Sequence, residues 1–295
     1  MPAIYRTNGT PTSDQKGTLS FWIKGNNPSL GTDAYIFDYR TDANNWGKIA
    51  LNASQTIEFA NYDSSSLNIN LWAGPRAFRD PSAWWNLVIA IDTTQVVSTD
   101  RIKIYINGVQ ETSLNNVVYP SVNYQLTNFL MSGSRLSVGS HWDGSSYGND
   151  FSGCFSWVQF VDGLQLAPTE FGEVDATSGI WKIKTTPYAT PGNNGFCLKM
   201  EDRTNLDLDS SSNAHTMTTS GTLVATYDTP SNSFATLNPL NMPTTPKPVF
   251  SIGNNTVVTQ NASGKYFGGT STLGMVGGKW YCEFKADSLA TDGMV

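Results

Sequence analysis

One stretch limits the fold more than any other: Trp84–Glu111, WWNLVIAIDTTQVVSTDRIKIYINGVQE. Its first half sets Trp85, Leu87, Ile89 and Ile91 at alternate positions, and its second half does the same with Ile102, Ile104 and Ile106. A period of two in β-branched and aromatic residues marks a strand with one face against a core. Asn107-Gly108 follows, and both residues tolerate the positive φ that a two-residue hairpin turn demands. The stretch therefore predicts adjacent antiparallel strands at Trp85–Ile91 and Arg101–Ile106, with a return strand beginning at Val109 and Gln110. Tyr105 falls on the face opposite the isoleucines.

Similar segments recur along the 295 residues. Gly17–Lys24 carries Leu19, Phe21 and Ile23 on one face and Trp22 on the other. Ala34–Arg40, Lys48–Asn52, Thr56–Tyr62, Leu67–Trp72, Arg135–Ser140, Phe151–Phe160 and Gly195–Glu201 also read as strands. Loops rich in Gly, Pro and Asn separate several of them, a spacing typical of sandwiches. Bulky groups on both faces of Phe151–Phe160 predict a strand covered on both sides. Ala167–Phe171 reads as one helical turn, with Pro168 at its first position or Thr169 as cap. Residues 1–17 and His141–Asp150 read as polar loops, and Asn115–Gly133 as irregular. Residues 1–209 form the first unit. Residues 210–248 read as an extended linker that begins with a polar turn region at Ser210–Ser220. Tyr227–Lys247 holds four prolines and lacks periodicity, so Phe234, Leu237 and Leu240 need a neighbour to cover them. Strands return in VFSIG, TVVTQ and GKWYCEFKAD, so residues 249–295 open a second β-domain. These are too few to bury a core, and we expect the protein to continue.

Composition narrows the function. Charged residues make up 14%, aromatic residues 12%, and the net charge is −6 without a Lys/Arg run. Nucleic-acid binding needs a basic footprint, so no nucleic-acid partner is expected. No run reaches the ~18 apolar residues of a membrane span. The opening MPAIYRTNGTPTSD lacks the apolar core of a signal peptide, which predicts synthesis in a cytoplasm. Cys154, Cys197 and Cys282 lie far apart and read as buried, reduced thiols.

GTLSFWIKG, WWNLVIAID, RIKIYINGVQ and FSGCFSWVQFVDG together resemble the concanavalin A-like, laminin-G-like jelly roll. More narrowly, Val158–Trp181, Leu206–Thr216 and Tyr227–Leu240 are similar to segments of tailed-phage structural proteins, especially marine ones. GKWYCEFKAD is similar to the opening of a SPRY-like sandwich. The resemblance implies an all-β chain: a jelly-roll sandwich, a linker and the start of a SPRY-like domain. It implies a virion protein made in the host cytoplasm, a tail fibre or receptor-binding appendage that adheres to host surface polysaccharide without catalysis. Trimers and contacts with other virion proteins are the family's expectation. A capsid-decorating fibre, a polysaccharide depolymerase and a secreted lectin or adhesin stay open as alternatives.

Hydrolases with this fold carry E-x-D-x-(x)-E on a strand, because retention needs two carboxyls about 5 Å apart. The one near match is Glu173-Val174-Asp175, where Thr177 and Ser178 replace the second glutamate. Glu170, Glu173 and Asp175 are better read as turn and cap residues. His141 and His215 sit in polar loops without a nucleophile at triad spacing, so no catalytic residue is assigned. Some laminin-G-like domains bind Ca²⁺ through rim loops. Asp143, Asn149 and Asp150 are the candidate hard ligands here, against the reading of a solvated loop with no cofactor. Asp207 and Asp209 are a weaker pair, more simply an Asx-turn. A sugar's apolar face stacks on aromatics, which makes Trp46, Trp142 and Tyr147 the carbohydrate-binding candidates. Trp22, Trp85 and Trp157 read as packing residues, and Trp181 as an anchor for the returning chain.

Overall fold

The predicted alternation separates residues onto two faces in most strands of a computed structural model, which describes residues 2–25, 31–126, 128–242, 248–258 and 269–286. Strands run at Ala3–Thr7 (β1), Lys16–Gly25 (β2), Ala34–Arg40 (β3), Trp46–Leu51 (β4), Ile57–Asp63 (β5), Ser66–Ala73 (β6) and Trp85–Asp92 (β7). A single helical turn, Ser98–Arg101, leads into Ile102–Ile106 (β8), Val109–Gln110 (β9), Leu114–Val118 (β10) and Arg135–Val138 (β11). His141–Trp142 (β12), Tyr147–Gly148 (β13) and Gly153–Asp162 (β14) come next. A 3-10 turn at Pro168–Glu170 precedes Gly172–Val174 (β15), Trp181–Ile183 (β16), Phe196–Leu198 (β17) and Thr218–Ser220 (β18). Val249–Ser251 (β19) and Thr256–Val258 (β20) form a separate hairpin.

Two antiparallel sheets make the sandwich, one ordered β10-β6-β5-β4-β3-β11-β1-β18 and the other β17-β14-β2-β7-β8-β9. The all-β, antiparallel expectation holds. Asn107 (φ 49°) and Gly108 (φ 78°) join β8 to β9 in the two-residue turn, with Ile106 opposite Val109. Leu19, Phe21, Ile23, Leu87, Ile89, Ile91, Ile102 and Ile104 face Phe37, Tyr39, Ile49, Phe59, Ile69 and Leu71 across one core. Each such side chain contributes roughly 1.5–3 kcal/mol by leaving water.

The six-stranded sheet is covered on its outer face as well. Trp22, Trp157, Ile183 and Cys197 pack there with Trp84 and Trp181. A second patch joins Val88, Val161 and Phe171 to Tyr105, Leu166 and Tyr188. Tyr105 and Trp22 thus point as the alternation predicts, and β14 is covered on both sides. Trp181 anchors the returning hairpin: its indole lies against Gly108, where an added Cβ would meet the ring at 2.4 Å. Its Nε1 donates to Asn86 Oδ1 at 3.2 Å. Beyond residue 209 the chain stays attached, because β18 pairs with β1. The Lys24 ammonium and Asp228 carboxylate form a buried ion pair, and Asp228 also accepts from Trp84 Nε1 at 2.9 Å.

Several expectations change. Residues 3–7 form a strand because β11 offers them a partner edge. His141–Asp150 is a short hairpin over the sheet, not a free loop. Thr218–Ser220 is a strand within the predicted turn region. GKWYCEFKAD alternates like a strand, yet residues 278–286 join no ladder, and Trp280, Tyr281 and Phe284 are exposed. Alternation without a neighbouring edge leaves the backbone unpaired. Cys197 is buried, Cys154 half-buried and Cys282 exposed, and none of the three is in a disulfide, so the buried expectation holds fully only at Cys197. Burial pushes the Cys197 thiol up to about 12. Predicted features at 26–30, 243–247, 259–260 and 287–295 lie outside the described residues. Among those described, no helix is long and apolar enough to cross a membrane.

Candidate functional site

The outer face of the eight-stranded sheet carries three rows of side chains, set by strand register. Asn70, Ala60, Lys48, Asp38, Ser137 and Tyr5 lie opposite one another in the middle row. Trp72, Glu58, Ala50 and Tyr35 form the row on one side. Tyr62, Trp46, Arg40 and Arg135 form the row on the other. Cross-strand neighbours stand about 5 Å apart at Cβ, so each row is a continuous surface.

Charge in the middle is internally matched. Lys48 pairs with Asp33 and lies 3.1 Å from Glu58 Oε2. Burial raises the Glu58 carboxyl above its ordinary value, with Lys48 pulling the other way. Burial works to lower the Lys48 ammonium, but its two carboxylate partners outweigh it and the net shift is upward. Asp38 is fully buried and raised by that burial. It is held at 3.0 Å by His141 Nδ1 and at 3.0 Å by the Trp142 amide. These bonds pin the β12–β13 hairpin onto the sheet. The His141 ring then rests on Tyr35, centroids 4.6 Å apart.

The three predicted carbohydrate-binding residues all reach this face. Trp46 is the first residue of β4 rather than a loop residue, and it is half-buried. It stacks on Tyr62 with centroids 4.4 Å apart and planes 18° apart, and lies 6.3 Å from the His141 ring. Trp142 and Tyr147 sit opposite each other in the hairpin, 4.9 Å apart. They close on Arg135, whose guanidinium lies 3.6 Å from the Tyr5 ring and 4.1 Å from Trp142. Arg135 Nη2 also donates to Tyr147 Oη at 2.6 Å. Sequence reasoning missed Arg135, Tyr5 and Tyr62; only the register between β1, β11, β3, β4 and β5 unites them.

Asp143, Asn149 and Asp150, the proposed calcium ligands, make hydrogen bonds within the protein. The Ser146 and Ser145 amides each donate to the Asp143 carboxylate at 2.7 Å and hold it well below the usual carboxylate range. Asp150 accepts from Ser140 Oγ at 2.6 Å, and the Asn149 carbonyl from the Tyr35 amide at 2.9 Å. Asp209 accepts from the Cys197, Ser211 and His215 amides, an Asx-turn in effect, and Asp207 from Thr219 Oγ1. Among the described residues, no group of three or more His, Cys, Asp or Glu is placed to hold a metal ion.

Glu173 lies on β15, not in a turn, while Asp175 caps the turn after it. Lys182 Nζ stands 3.3 Å from both carboxylates. The Ser178 amide and hydroxyl, followed by Lys182, bring the Asp175 carboxyl down to about 2. Glu170 ends the 3-10 turn, which has Pro at its first position.

The family model Laminin_G_3, described as the concanavalin A-like lectin/glucanases superfamily, matches residues 4–160, more than half of the chain. No curated protein sequence matches. Among solved structures, a putative carbohydrate binding protein from Bacteroides ovatus shares 13% identity over 78% of this chain and 58% of its own, TM-score 0.49. A heptameric SAP-like pentraxin from Limulus polyphemus shares 16% over 56% of this chain and 72% of its own, TM-score 0.39. Domain 4 of an extracellular arabinanase from Geobacillus stearothermophilus, in complex with arabinotriose, shares 18% over 57% and 69%, TM-score 0.39.

Proposed function

The chain belongs to the concanavalin A-like lectin/glucanases superfamily, and on that premise we propose that it binds glycans without catalysis, as an adhesion protein of a virion. The observation that carries the reading is the Trp46–Tyr62 stack at the edge of an open sheet face. An indole offers a sugar its apolar ring face, while Asn70, His141 and the hairpin residues supply the polar rim that hydroxyls need. Trp142 and Tyr147 frame the same surface around Arg135.

The reading as a binder rather than a glucanase rests on how carboxylates are paired. A glycosidase needs two free carboxyls with different proton affinities. Here Lys182 lies between Glu173 and Asp175, and Lys48 between Asp33 and Glu58. In each pair both carboxylates are tied to one shared lysine, so neither is free.

The virion role rests on the likeness of Val158–Trp181, Leu206–Thr216 and Tyr227–Leu240 to tailed-phage structural proteins. In that role the chain is a tail fibre or related appendage, assembled as a trimer. Several weak sites on one oligomer would then act together, so modest single-site affinity suffices.

Two measurements test this. Binding of the chain and of Trp46→Ala to a printed panel of bacterial surface polysaccharides comes first. We expect the variant to lose at least about tenfold in affinity while staying folded; equal binding would remove the site from this face. Immunogold microscopy of phage particles comes second. Label on fibres supports the appendage, label over the head makes this a decoration protein, and unlabelled particles refute the virion role.

A further inference from the structure

Arg40 and Arg135 are cross-strand neighbours on the open face. Like charges so placed repel unless each is accommodated. Arg135 is accommodated by Tyr5, Trp142 and the Tyr147 hydroxyl. Arg40 is different. It is half-buried, and its guanidinium makes no hydrogen bond, ion pair or ring contact among the described residues. The carboxylates whose field reaches it are already used. Asp38 is held by His141 and the Trp142 amide, and Asp42 by the Asn44 amide and the Asn45 side chain.

The tip of the β12–β13 hairpin passes close beside the Arg40 guanidinium and adds no side chain there. Gly144, at the tip of the β12–β13 hairpin, has φ +108°, a conformation side chains rarely adopt. A Cβ there would stand 3.7 Å from Arg40 Nε and 3.8 Å from Nη2, so any larger residue would begin to roof the guanidinium. On the other side, one strand away, stands the Trp46 ring. A half-buried planar fork of N–H donors therefore stands without a partner among the described residues, beside an aromatic platform. That fork matches an oxyanion in bidentate fashion, and such charge-assisted pairs are about twice as strong as neutral ones.

Resting on the glycan reading above, we propose that the sugar bound here is acidic, with its carboxylate or sulfate on Arg40 and its ring on Trp46. The chain's net charge of −6 opposes long-range attraction of a polyanion. Recognition is therefore of one anionic residue at close quarters, not of bulk charge.

The test uses the full chain and titration calorimetry with four probes: tetragalacturonate, the same oligosaccharide after carboxyl reduction, a κ-carrageenan tetrasaccharide and an alginate tetrasaccharide. At least one acidic probe should bind about tenfold or more tighter than the reduced, neutral one. Preference for galacturonate or alginate assigns a carboxylate, and preference for carrageenan a sulfate ester. Arg40→Gln should erase that preference without shifting the melting temperature, and Arg40→Lys should restore part of it. Lys103→Gln, a cation on the other sheet, should leave it intact. Equal binding of acidic and reduced probes, or a preference that survives Arg40→Gln, overturns the proposal while the glycan reading stands. Binding only to neutral sugars on the polysaccharide panel overturns it in the same way. Failure of every sugar on both panels refutes the glycan reading as well.

Discussion

Trp22 and Trp46 are both tryptophans on sandwich strands, and both point away from the core, but they meet opposite fates. Trp22 on the six-stranded sheet is 3% exposed beneath Trp84, Trp157 and Trp181. Trp46 on the eight-stranded sheet stays half-buried, with Tyr62 as its one close stacking partner. The difference lies in the path of the chain after β14. The 3-10 turn, the β15–β16 hairpin and β17 return to the six-stranded sheet and bury its outer face. On the other sheet the β12–β13 hairpin lies over the outer face; Asp38, Ser137, Lys48, Glu58 and Tyr35 are buried there, while Trp46, Tyr62, Arg40 and Arg135 stay half-buried. One outer face therefore contributes to stability as a second core, and the other keeps a half-buried row at its surface, the one the glycan proposal uses.

The largest effect should come where the covering chain is locked. Removing one partner of a buried ion pair leaves an uncompensated charge in low dielectric and costs about 3–5 kcal/mol. Asp228→Ala strands Lys24 in this way, and denaturant unfolding should show that loss. The double variant Lys24→Met/Asp228→Leu should recover most of it, since an apolar pair of similar volume is often neutral. A double variant as unstable as the single one would mean that Asp228 acts through Trp84 Nε1 instead.

Next is the direct comparison of the two tryptophans. Trp22→Ala should cost about 3 kcal/mol, the low end for a buried aromatic, because its Nε1 is buried without a hydrogen-bond partner and that loss is absent. It should leave glycan affinity unchanged. Trp46→Ala should cost about 1 kcal/mol, the scale of one aromatic pair, and should abolish binding. Equal stability losses at the two sites would mean that the open face is covered in solution.

Much of this contrast was legible in the sequence. The alternation in Gly17–Lys24 set Trp22 against Leu19 and Phe21, and Asn107-Gly108 marked the turn beside which Trp181 packs. These signals are local, so periodicity and turn chemistry suffice. The open face was legible residue by residue but not as an arrangement. Trp46, Trp142 and Tyr147 were candidates for their polar company, yet what each ring touches depends on register between strands distant in sequence. Trp142 and Tyr147 turned out to hold Arg135, and Arg40 had no local signal at all. The strand at Ala3–Thr7 escaped notice because five residues with polar flanks need β11 and β18 to become a strand. GKWYCEFKAD shows the converse, a strand-like period with no edge beside it.

The smallest expected effect separates the faces by acid. Each has a hairpin whose tip is held by an aspartate, exposed Asp143 over one face and half-buried Asp175 over the other. Both carboxyls are held below their ordinary value by turn amides and hydroxyls, Asp175 at about 2. A lowered folded pKa means that the stabilisation is present above the ordinary value and is lost as pH falls through the folded one. Both tips should therefore loosen only in strong acid, read as the pH dependence of the Ser146 and Ser178 amide resonances. Titration of either amide near pH 4 would show that the carboxylate does not hold its turn. The open face carries an opposing contribution. Burial raises Asp38 beneath its hairpin, so that stabilisation is present at low pH and fades as pH rises through the raised value. That contribution belongs to overall stability and not to the anchor: the His141 and Trp142 bonds favour the charged Asp38 and weaken when it is protonated. Asp38→Asn should remove this contribution from the pH dependence of unfolding and leave the acid response of the Ser146 and Ser178 amides as it was.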